Sequence, residues 1–290
     1  MKIKSILVPT DFSETANHAM EQAIELAIRT RAKVHLFHVI EPRVEGPERL
    51  VTAVRDYLKM LEESAEQSLA LKADLFRGNG VDMKYSTMRH VSPFEAILEK
   101  VEEEKPDLVV VGTHGRTGFG RLLLGSVAEK VLRHAPSNVL TLNKSAPLVR
   151  ASHAFERILV PVDFSEFSKR AVGLAASLLV PDGVLRVAHI VARPVDPVFY
   201  AGGATLFQLD PGLPGQIRES LSKWLEGQTG QIEVREGDVV AEIFDIAESG
   251  GAQLIVMGTR GLSGLDHFLM GSVTEKVARR SKIPVLTVHG

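Results

Sequence analysis

Apolar residues in the first half of the chain form short runs that alternate with stretches of helical spacing. The runs at 109–111 and 254–256 are continuous, which is typical of strands covered by helices on both faces. Strands that alternate with helices predict a parallel, doubly wound sheet of the α/β class. Five strands are predicted in the first half, near residues 3–8, 34–39, 81–87, 108–111 and 139–142.

Two long connections between predicted strands differ in their pattern. Between strands two and three, apolar residues recur at helical spacing and predict an amphipathic crossover helix. In the second half, residues 193–215 are rich in proline and glycine and predict no regular element before a shorter helix near 217–225. The apolar positions of the crossover helix are Leu50, Val54, Tyr57, Leu58, Leu61 and Ala65.

The chain contains an internal repeat. Residues 6–14 (ILVPTDFSE) return as residues 158–166 (ILVPVDFSE), and residues 139–142 (VLTL) return as residues 285–288 (VLTV). A repeat of this length indicates a tandem duplication. We therefore predict two domains, 1–144 and 155–290, joined by a linker at 145–154 that has no apolar periodicity.

A glycine motif appears late in each half and gives the clearest functional signal. Each copy follows an apolar run and precedes a helical pattern, so the order is strand, loop and helix. Glycines leave room for backbone N–H groups to approach an anion, and a helix N-terminus favours a phosphate. The copies are Gly112, Gly115, Gly125 and Ser126, and Gly258, Gly261, Gly271 and Ser272.

A second repeated motif follows the first strand of each half. In a doubly wound sheet of order 3-2-1-4-5, strands one and four flank the switch point, where ligands bind beyond the strand carboxyl ends. Both motifs are therefore predicted to lie at one edge of each sheet, which favours a nucleotide as the ligand. The early residues are Pro9, Asp11 and Ser13, and their counterparts Pro161, Asp163 and Ser165.

Composition and charge narrow the class of protein. The net charge of -2 and pI near 6.6 argue against nucleic-acid binding, which usually needs a basic excess. The 290 residues include no cysteine, and no apolar stretch approaches a secretory core or a membrane span. These features predict a cytoplasmic protein that contacts neither nucleic acid nor membrane.

The two motifs within a five-strand unit resemble the universal stress proteins, and the resemblance covers both halves. It implies ATP binding, with glycines and Ser126 or Ser272 holding the phosphates, and Mg²⁺ carried in by ATP. Asp11 and Asp163 would lie near the adenosine, and the backbone of Val39 and Ile190 would border the adenine. The resemblance also implies an intrachain pseudo-dimer paired through the last strands. A homodimer and a protein partner of unknown identity stay open.

The two predicted sites are not identical. ATP-binding members of the family commonly carry a Ser or Thr two positions after the motif serine, and Thr274 fits this pattern while Ala128 does not. A hydrogen bond to a charged group contributes about 1.5–3 kcal/mol, so the second site is expected to bind more tightly. Arg116 and Arg121 in the first loop argue the other way.

Alternative interpretations apply to these residues and to the function. Ser126 and Ser272, each with a glutamate three positions on, match capping boxes, and Asp11 and Asp163 match helix caps.

The ten histidines show no metal-ligand spacing, so no protein-based metal site is predicted. His38 and His189 are interpreted as packing or hydrogen-bonding residues. No catalytic set is evident, and the leading hypothesis is a nucleotide-responsive binding protein. Slow ATP hydrolysis, adenylation of a substrate and a ligand-free scaffold remain alternatives.

Overall fold

The computed structural model describes residues 2–42, 51–78, 80–113, 124–150, 155–192, 205–228, 230–259 and 270–289, with side chains in 51–78 described from residue 55. The chain divides into two compact units, Lys2–Ser152 and His153–Gly290. Each unit repeats the same order of strands and helices, which confirms the α/β class and the tandem organisation that the sequence predicts.

The first unit is a five-stranded parallel sheet in which β1 lies between β2 and β4. The strand order is β3-β2-β1-β4-β5, so β3 forms the outer edge. This is the predicted 3-2-1-4-5 order. The elements are β1 (Ser5–Pro9), α1 (Glu14–Thr30), β2 (Lys33–Ile40), α2 (Val51–Arg77), β3 (Met83–Arg89), α3 (Pro93–Glu104), β4 (Leu108–Gly112), α4 (Ser126–His134) and β5 (Asn138–Leu142).

The second unit repeats this arrangement in the order β8-β7-β6-β9-β10. Its strands are also parallel, with β6 paired to both β7 and β9. The elements are β6 (Phe155–Pro161), α5 (Glu166–Leu178), β7 (Leu179–Ala192), α6 (Leu206–Leu209), α7 (Leu213–Trp224), β8 (Gln231–Gly237), α8 (Val239–Ser249), β9 (Leu254–Gly258), α9 (Ser272–Arg280) and β10 (Val285–Val288).

The continuous apolar runs form the centre of each core. Val109 and Val110 in β4, and Ile255 and Val256 in β9, are completely shielded from solvent. Consecutive residues of a strand point to opposite faces, so a run that is buried throughout must be covered on both sides. The five strands predicted for the first unit are confirmed, with ends that differ by one or two residues.

The crossover helix α2 forms as predicted, but of its predicted apolar positions with described side chains only Ala65 is fully buried, and burial continues farther along the chain. Tyr57 is 49% exposed, whereas Ala65, Leu69 and Ala73 are buried. A helix of 27 residues spans about 40 Å, which is longer than the strands beneath it. Its early apolar positions therefore extend past the surface that would cover them, and Leu58 and Leu61 are only half-buried.

The prediction for residues 193–215 is wrong in its second part. Helix α6 begins after Thr205, whose side chain forms a capping box with Gln208, and α7 already begins at Leu213. Pro214 lies in the first turn of α7, where its missing N–H is not needed. Proline and glycine mark helix ends here. Residues 193–204 lie outside the described residues.

Part of the segment predicted as a linker packs against α1. Gln22 is fully buried and donates from Nε2 to the carbonyl oxygen of Val149, while its Oε1 accepts from the Val149 N–H, at 3.2 and 2.9 Å. His18 Nε2 lies 2.6 Å from the carbonyl oxygen of Ala146, and Arg150 pairs with Glu25. Residues 144–150 carry no helix or strand, yet they belong to the first unit's surface.

Candidate functional site

Strand ends and helix starts converge at the switch point of the first unit. Strand β1 ends at Pro9, and β4, its neighbour in the sheet, ends at Gly112. A side chain at Gly112 would meet Cγ2 of Thr15 at 2.8 Å and the carbonyl oxygen of Thr15 at 2.9 Å. The end of β4 therefore lies directly against the first turn of α1. The structure brings the early and late motifs together as the sequence predicts.

Asp11 shapes the turn that leads into α1. Its Oδ1 accepts a hydrogen bond from the N–H of Ser13 at 3.0 Å, and Ser13 Oγ caps the helix by accepting from the N–H of Ala16. Phe12 between them has a φ of 63°, in the left-handed region. The interpretation of Asp11 as the helix cap is therefore wrong, because Ser13 takes that position.

The second unit builds the same turn from Asp163. Its Oδ1 accepts from the N–H of Ser165 at 3.1 Å and from Ser165 Oγ at 2.6 Å. Phe164 has a φ of 65°, and Ser165 caps α5. Pro161 ends β6 and is buried. Asp163 is thus not the cap either, and each aspartate holds a turn whose next residue is strained into the left-handed region.

The helices that follow the late motifs begin without a capping side chain. Gly125 and Gly271 occupy the N-cap positions of α4 and α9, and Ser126 and Ser272 are the first helical residues, both exposed. A serine inside the helix cannot accept from the N–H that an N-cap serine reaches, so the capping-box interpretation is wrong. Of the described helices, α1, α3, α5, α6 and α8 carry a capping side chain.

The glycines of the late motif differ in why they must be glycine. Gly258 has no room for a side chain, because a Cβ would meet Phe167 at 2.8 Å and the N of Ser168 at 3.0 Å. At Gly271, the nearest contacts of a Cβ with the described residues would be ordinary ones of 3.6 and 3.8 Å, and the φ of -60° suits any residue. Packing explains Gly112 and Gly258, and it does not explain Gly271.

Backbone hydrogen bonds fix each helix start to the end of its strand. The N–H of Gly125 donates to the carbonyl oxygen of Thr113 at 2.6 Å, and that of Gly271 to Thr259 at 2.8 Å. The second unit adds the buried Thr274, whose Oγ1 donates to the carbonyl oxygen of Gly258 at 2.9 Å. Its single hydroxyl hydrogen is thus used within the protein. Ala128, also buried, has no such group.

The neighbouring strands β2 and β7 complete the described part of each site. Val39 is half-buried near the end of β2, and Ile190 is 8% exposed in β7. His38 donates from Nδ1 to the carbonyl oxygen of Thr10, and His189 to that of Val162. The hydrogen-bonding interpretation of these two histidines is confirmed.

Aromatic residues at the site were not predicted from the sequence. The rings of Phe12 and His38 lie 4.5 Å apart, and those of Phe164 and His189 lie 5.0 Å apart. Trp224 of α7 also contacts Phe164, at 5.7 Å. The repeated Asp-Phe-Ser sequence was the available signal, because a phenylalanine repeated in the two halves beside the candidate site residues Asp11 and Asp163 stands out from ordinary core positions.

Four loop residues weighed in the sequence lie outside the described residues, namely Gly115, Arg116, Arg121 and Gly261. Within the described ranges, no cluster of three or more His, Cys, Asp or Glu side chains could hold a metal ion. No helix in those same ranges is both long and apolar enough to cross a bilayer.

Comparisons with known proteins match both halves. The sequence model of the Universal stress protein family matches residues 2–143 and again residues 154–289. A universal stress protein of Methanocaldococcus jannaschii is 34% identical over 147 residues, covering 49% of this chain and 82% of that protein. One of Mycolicibacterium smegmatis is 27% identical over 290 residues, covering 98% and 96%. The crystal structure of a universal stress protein from Archaeoglobus fulgidus shares the fold, with a TM-score of 0.73, 23% identity and coverage of 100% and 99%.

Proposed function

The chain belongs to the universal stress protein family, and from that premise we propose that each of its two units binds ATP at the switch point of its sheet. ATP would carry Mg²⁺ on its phosphates, since the protein's described residues supply no metal cluster. The protein acts as a nucleotide-responsive binding module in the cytoplasm, consistent with its lack of cysteine.

The start of α9 carries this proposal. Gly271 has an ordinary backbone conformation and room for a side chain among the described residues, so neither the backbone nor the described packing requires glycine there. The helix begins without a capping side chain, and Ser272 beside it is exposed. Uncapped N–H groups and the helix dipole favour an anion, and a side chain at the cap would crowd its approach. A phosphate explains the glycine and the open helix end together.

The remaining site residues take roles that follow from their positions. Asp11 and Asp163 hold the turns after β1 and β6 and would lie near the adenosine. Val39 and Ile190 would border the adenine. The phosphates would contact the starts of α4 and α9. The remaining residues of the early motifs shape these turns and supply no charge; they are Pro9, Pro161, Ser13 and Ser165.

The second site is expected to bind ATP more tightly than the first. The reason is no longer a direct hydrogen bond from Thr274 to a phosphate. Thr274 gives its hydroxyl hydrogen to the carbonyl oxygen of Gly258, so in this arrangement it does not donate to a phosphate. It instead ties α9 to the end of β9 before ligand arrives. A site whose parts are held in place loses less conformational entropy on binding. Ala128 gives the first site no equivalent connection.

ATP binding would alter the order of the loops that follow β4 and β9 and so change the surface offered to a protein partner. Pairing of the two units through β5 and β10, and a homodimer of whole chains, belong to the same proposal. Slow ATP hydrolysis is the alternative function. The described residues include no evident catalytic set for it.

Calorimetry with ATP and Mg²⁺ tests the proposal on the full chain. The double substitution Gly125→Val and Gly271→Val places a branched side chain at both helix starts. We expect it to weaken binding by about tenfold or more, the equivalent of one charge-assisted hydrogen bond. Gly173→Ala is the matched control, because a Cβ at that glycine of α5 meets nothing within 4 Å.

Three results would favour other functions. Wild-type protein that gives no binding heat would favour the ligand-free scaffold. Unchanged affinity in the double variant would remove the helix starts from the site. ATP turnover that disappears in Asp163→Ala would favour an enzyme instead.

A further inference from the structure

A second group of polar side chains lies at the outer edge of the first unit, away from the proposed nucleotide site. His35 is the third residue of β2, Ser86 lies in the edge strand β3, and Glu104 is the last residue of α3. These positions lie away from the strand carboxyl ends, where Pro9 and Gly112 meet. The group is therefore spatially separate from the proposed nucleotide site.

Two hydrogen bonds join the three side chains in a line. His35 Nδ1 lies 2.9 Å from Glu104 Oε2, and His35 Nε2 lies 2.8 Å from Ser86 Oγ. An ionised carboxylate can only accept, so Nδ1 carries the hydrogen when the ring is neutral. Nε2 then presents a lone pair, and the Ser86 hydroxyl donates to it. This is the order of nucleophile, base and orienting carboxylate in serine hydrolases.

Burial of the ring keeps this arrangement in the reactive form. Burial lowers the pKa of His35 below its ordinary value, and the hydrogen bond that His35 donates to Glu104 only partly opposes this. Burial disfavours ionised Glu104, but hydrogen bonds from Lys84 and His35 bring its pKa below the ordinary value. At neutral pH the histidine is therefore a neutral base beside a carboxylate.

The position of Glu104 is unusual for a structural residue. Helix α3 ends with Glu102, Glu103 and Glu104 and has no basic residue in its last turn. A negative charge at a helix C-terminus is opposed by the helix dipole. Glu104 is stabilised there by Lys84 Nζ, 2.9 Å from its Oε1, and by His35. The position of this carboxylate is therefore explained by its contacts with Lys84 and His35 and not by stabilisation of α3.

Ser86 is half-buried in β3, the outer strand of the sheet, so its side chain is partly exposed to solvent. The N–H of His90 donates to β2, and alternation along a parallel ladder then directs the N–H of Thr87 to the open side. The N–H that follows a nucleophilic serine is a common oxyanion donor. Lys84, two residues before Ser86, adds a cation on the same face.

We propose that Ser86, His35 and Glu104 form a nucleophile, base and carboxylate that hydrolyse small carboxylic esters. Ser86 Oγ attacks the ester carbonyl carbon while its proton moves to His35 Nε2. The bond from carbon to the alcohol oxygen breaks, and the alcohol leaves with that proton. Water then attacks the acyl-serine, giving one proton to His35, and Ser86 leaves as the hydroxyl while the acid is released. Glu104 holds the ring and the charge it gains.

Labelling with an alkyl fluorophosphonate tests the proposal on the full chain. The serine oxygen bonds to phosphorus as fluoride leaves, and peptide mapping identifies the modified residue. We expect one adduct on Ser86, and a labelling rate reduced about 100-fold or more in His35→Gln, which removes the general base. Glu104→Gln is expected to slow labelling as well. Ser92→Ala is the matched control, because Ser92 caps α3 outside this group.

A pH profile separates a catalytic from a structural role. The charged groups that act on His35 are Glu104 and Lys100 of α3 and Lys84 of β3, while β1 places Leu7 beside it. Hydrolysis of p-nitrophenyl acetate is expected to fall as His35 is protonated below pH 6.5. No adduct on wild-type Ser86, or an unchanged rate in a folded His35→Gln variant, would overturn the proposal. Mapping of the wild-type adduct decides the matter even if a variant does not fold.

Discussion

The glycines of the late motif show how one residue type serves two purposes. Gly112 and Gly258 are the last residues of β4 and β9. The first turn of α1 lies against Gly112, and that of α5 against Gly258, so neither position has space for a Cβ. Gly271 precedes the first residue of α9, and among the described residues a Cβ there would make only ordinary contacts. The spacing of the motif is the same for both kinds, so the sequence could identify the motif and could not separate packing from ligand contact.

Gly258→Ala is expected to destabilise the protein by about 1–3 kcal/mol, the usual effect of overpacking a core. The new methyl group would meet backbone atoms of Phe167 and Ser168, which cannot move aside as a flexible side chain would. Urea unfolding measures the change. Gly271→Ala is the comparison, expected to lose less than half as much, and equal losses would contradict the packing explanation.

At the level of helices and strands, prediction succeeded where burial is two-sided. The run 108–111 predicted β4 because only a fully covered strand stays apolar at every position. The pattern of α2 predicted a helix but not its contacts, because periodicity shows a face and not the length of the surface beneath it. The prediction that Ser126 is the N-cap of α4 was wrong, because Gly125 occupies the N-cap position. A capping-box sequence alone does not show at which residue the helix begins.

Strands β2 and β3 are connected to α3 through His35, and this connection depends on pH. The folded state holds the pKa of His35 below its value of 6.5 in the unfolded chain, so acidification protonates the unfolded chain first. The stability from neutral His35 is therefore fully present above pH 6.5 and is lost as pH falls toward the folded-state pKa.

His35→Gln provides the measurement. The difference in unfolding free energy between wild type and variant is expected to shrink as pH is lowered from 7.5 to 5, by urea titration at each pH. The lower limit keeps Glu104, with its unfolded value of 4.5, ionised in the comparison. A difference that stays constant or grows on acidification would contradict the assigned direction.

At the scale of the whole molecule, duplication gives two sites that share a plan and differ in detail. The turns at Asp11 and Asp163 match, as do the glycine caps of α4 and α9. The hydroxyl of Thr274 and the ring of Trp224 occur in the second unit. The sequence identified the first difference by alignment of the halves. The second needed the structure, because the helix predicted near 217–225 includes Trp224 but does not show that its ring contacts Phe164.

Thr274→Ala is expected to weaken ATP binding at the second site about tenfold, because the start of α9 loses its hydrogen bond to the end of β9 and must be ordered when ATP binds. Calorimetry in a Gly125→Val background, in which binding at the first site is already weakened, reports mainly on the second site. Thr274→Ser keeps the hydroxyl and is expected to bind as the wild type does. If the alanine and serine variants bind equally, the preference for the second site does not arise from Thr274.

The segment at 144–150 changes where the first unit ends for any practical purpose. Gln22 is buried in α1, and both ends of its amide are satisfied by Val149. A chain cut at residue 144 would leave this amide donor and acceptor without either bond, and would also remove Ala146 and Arg150, which contact His18 and Glu25. An excised first unit that retains residues through Arg150 keeps the contacts between this segment and α1. A unit that ends at residue 144 loses them and exposes that side of α1.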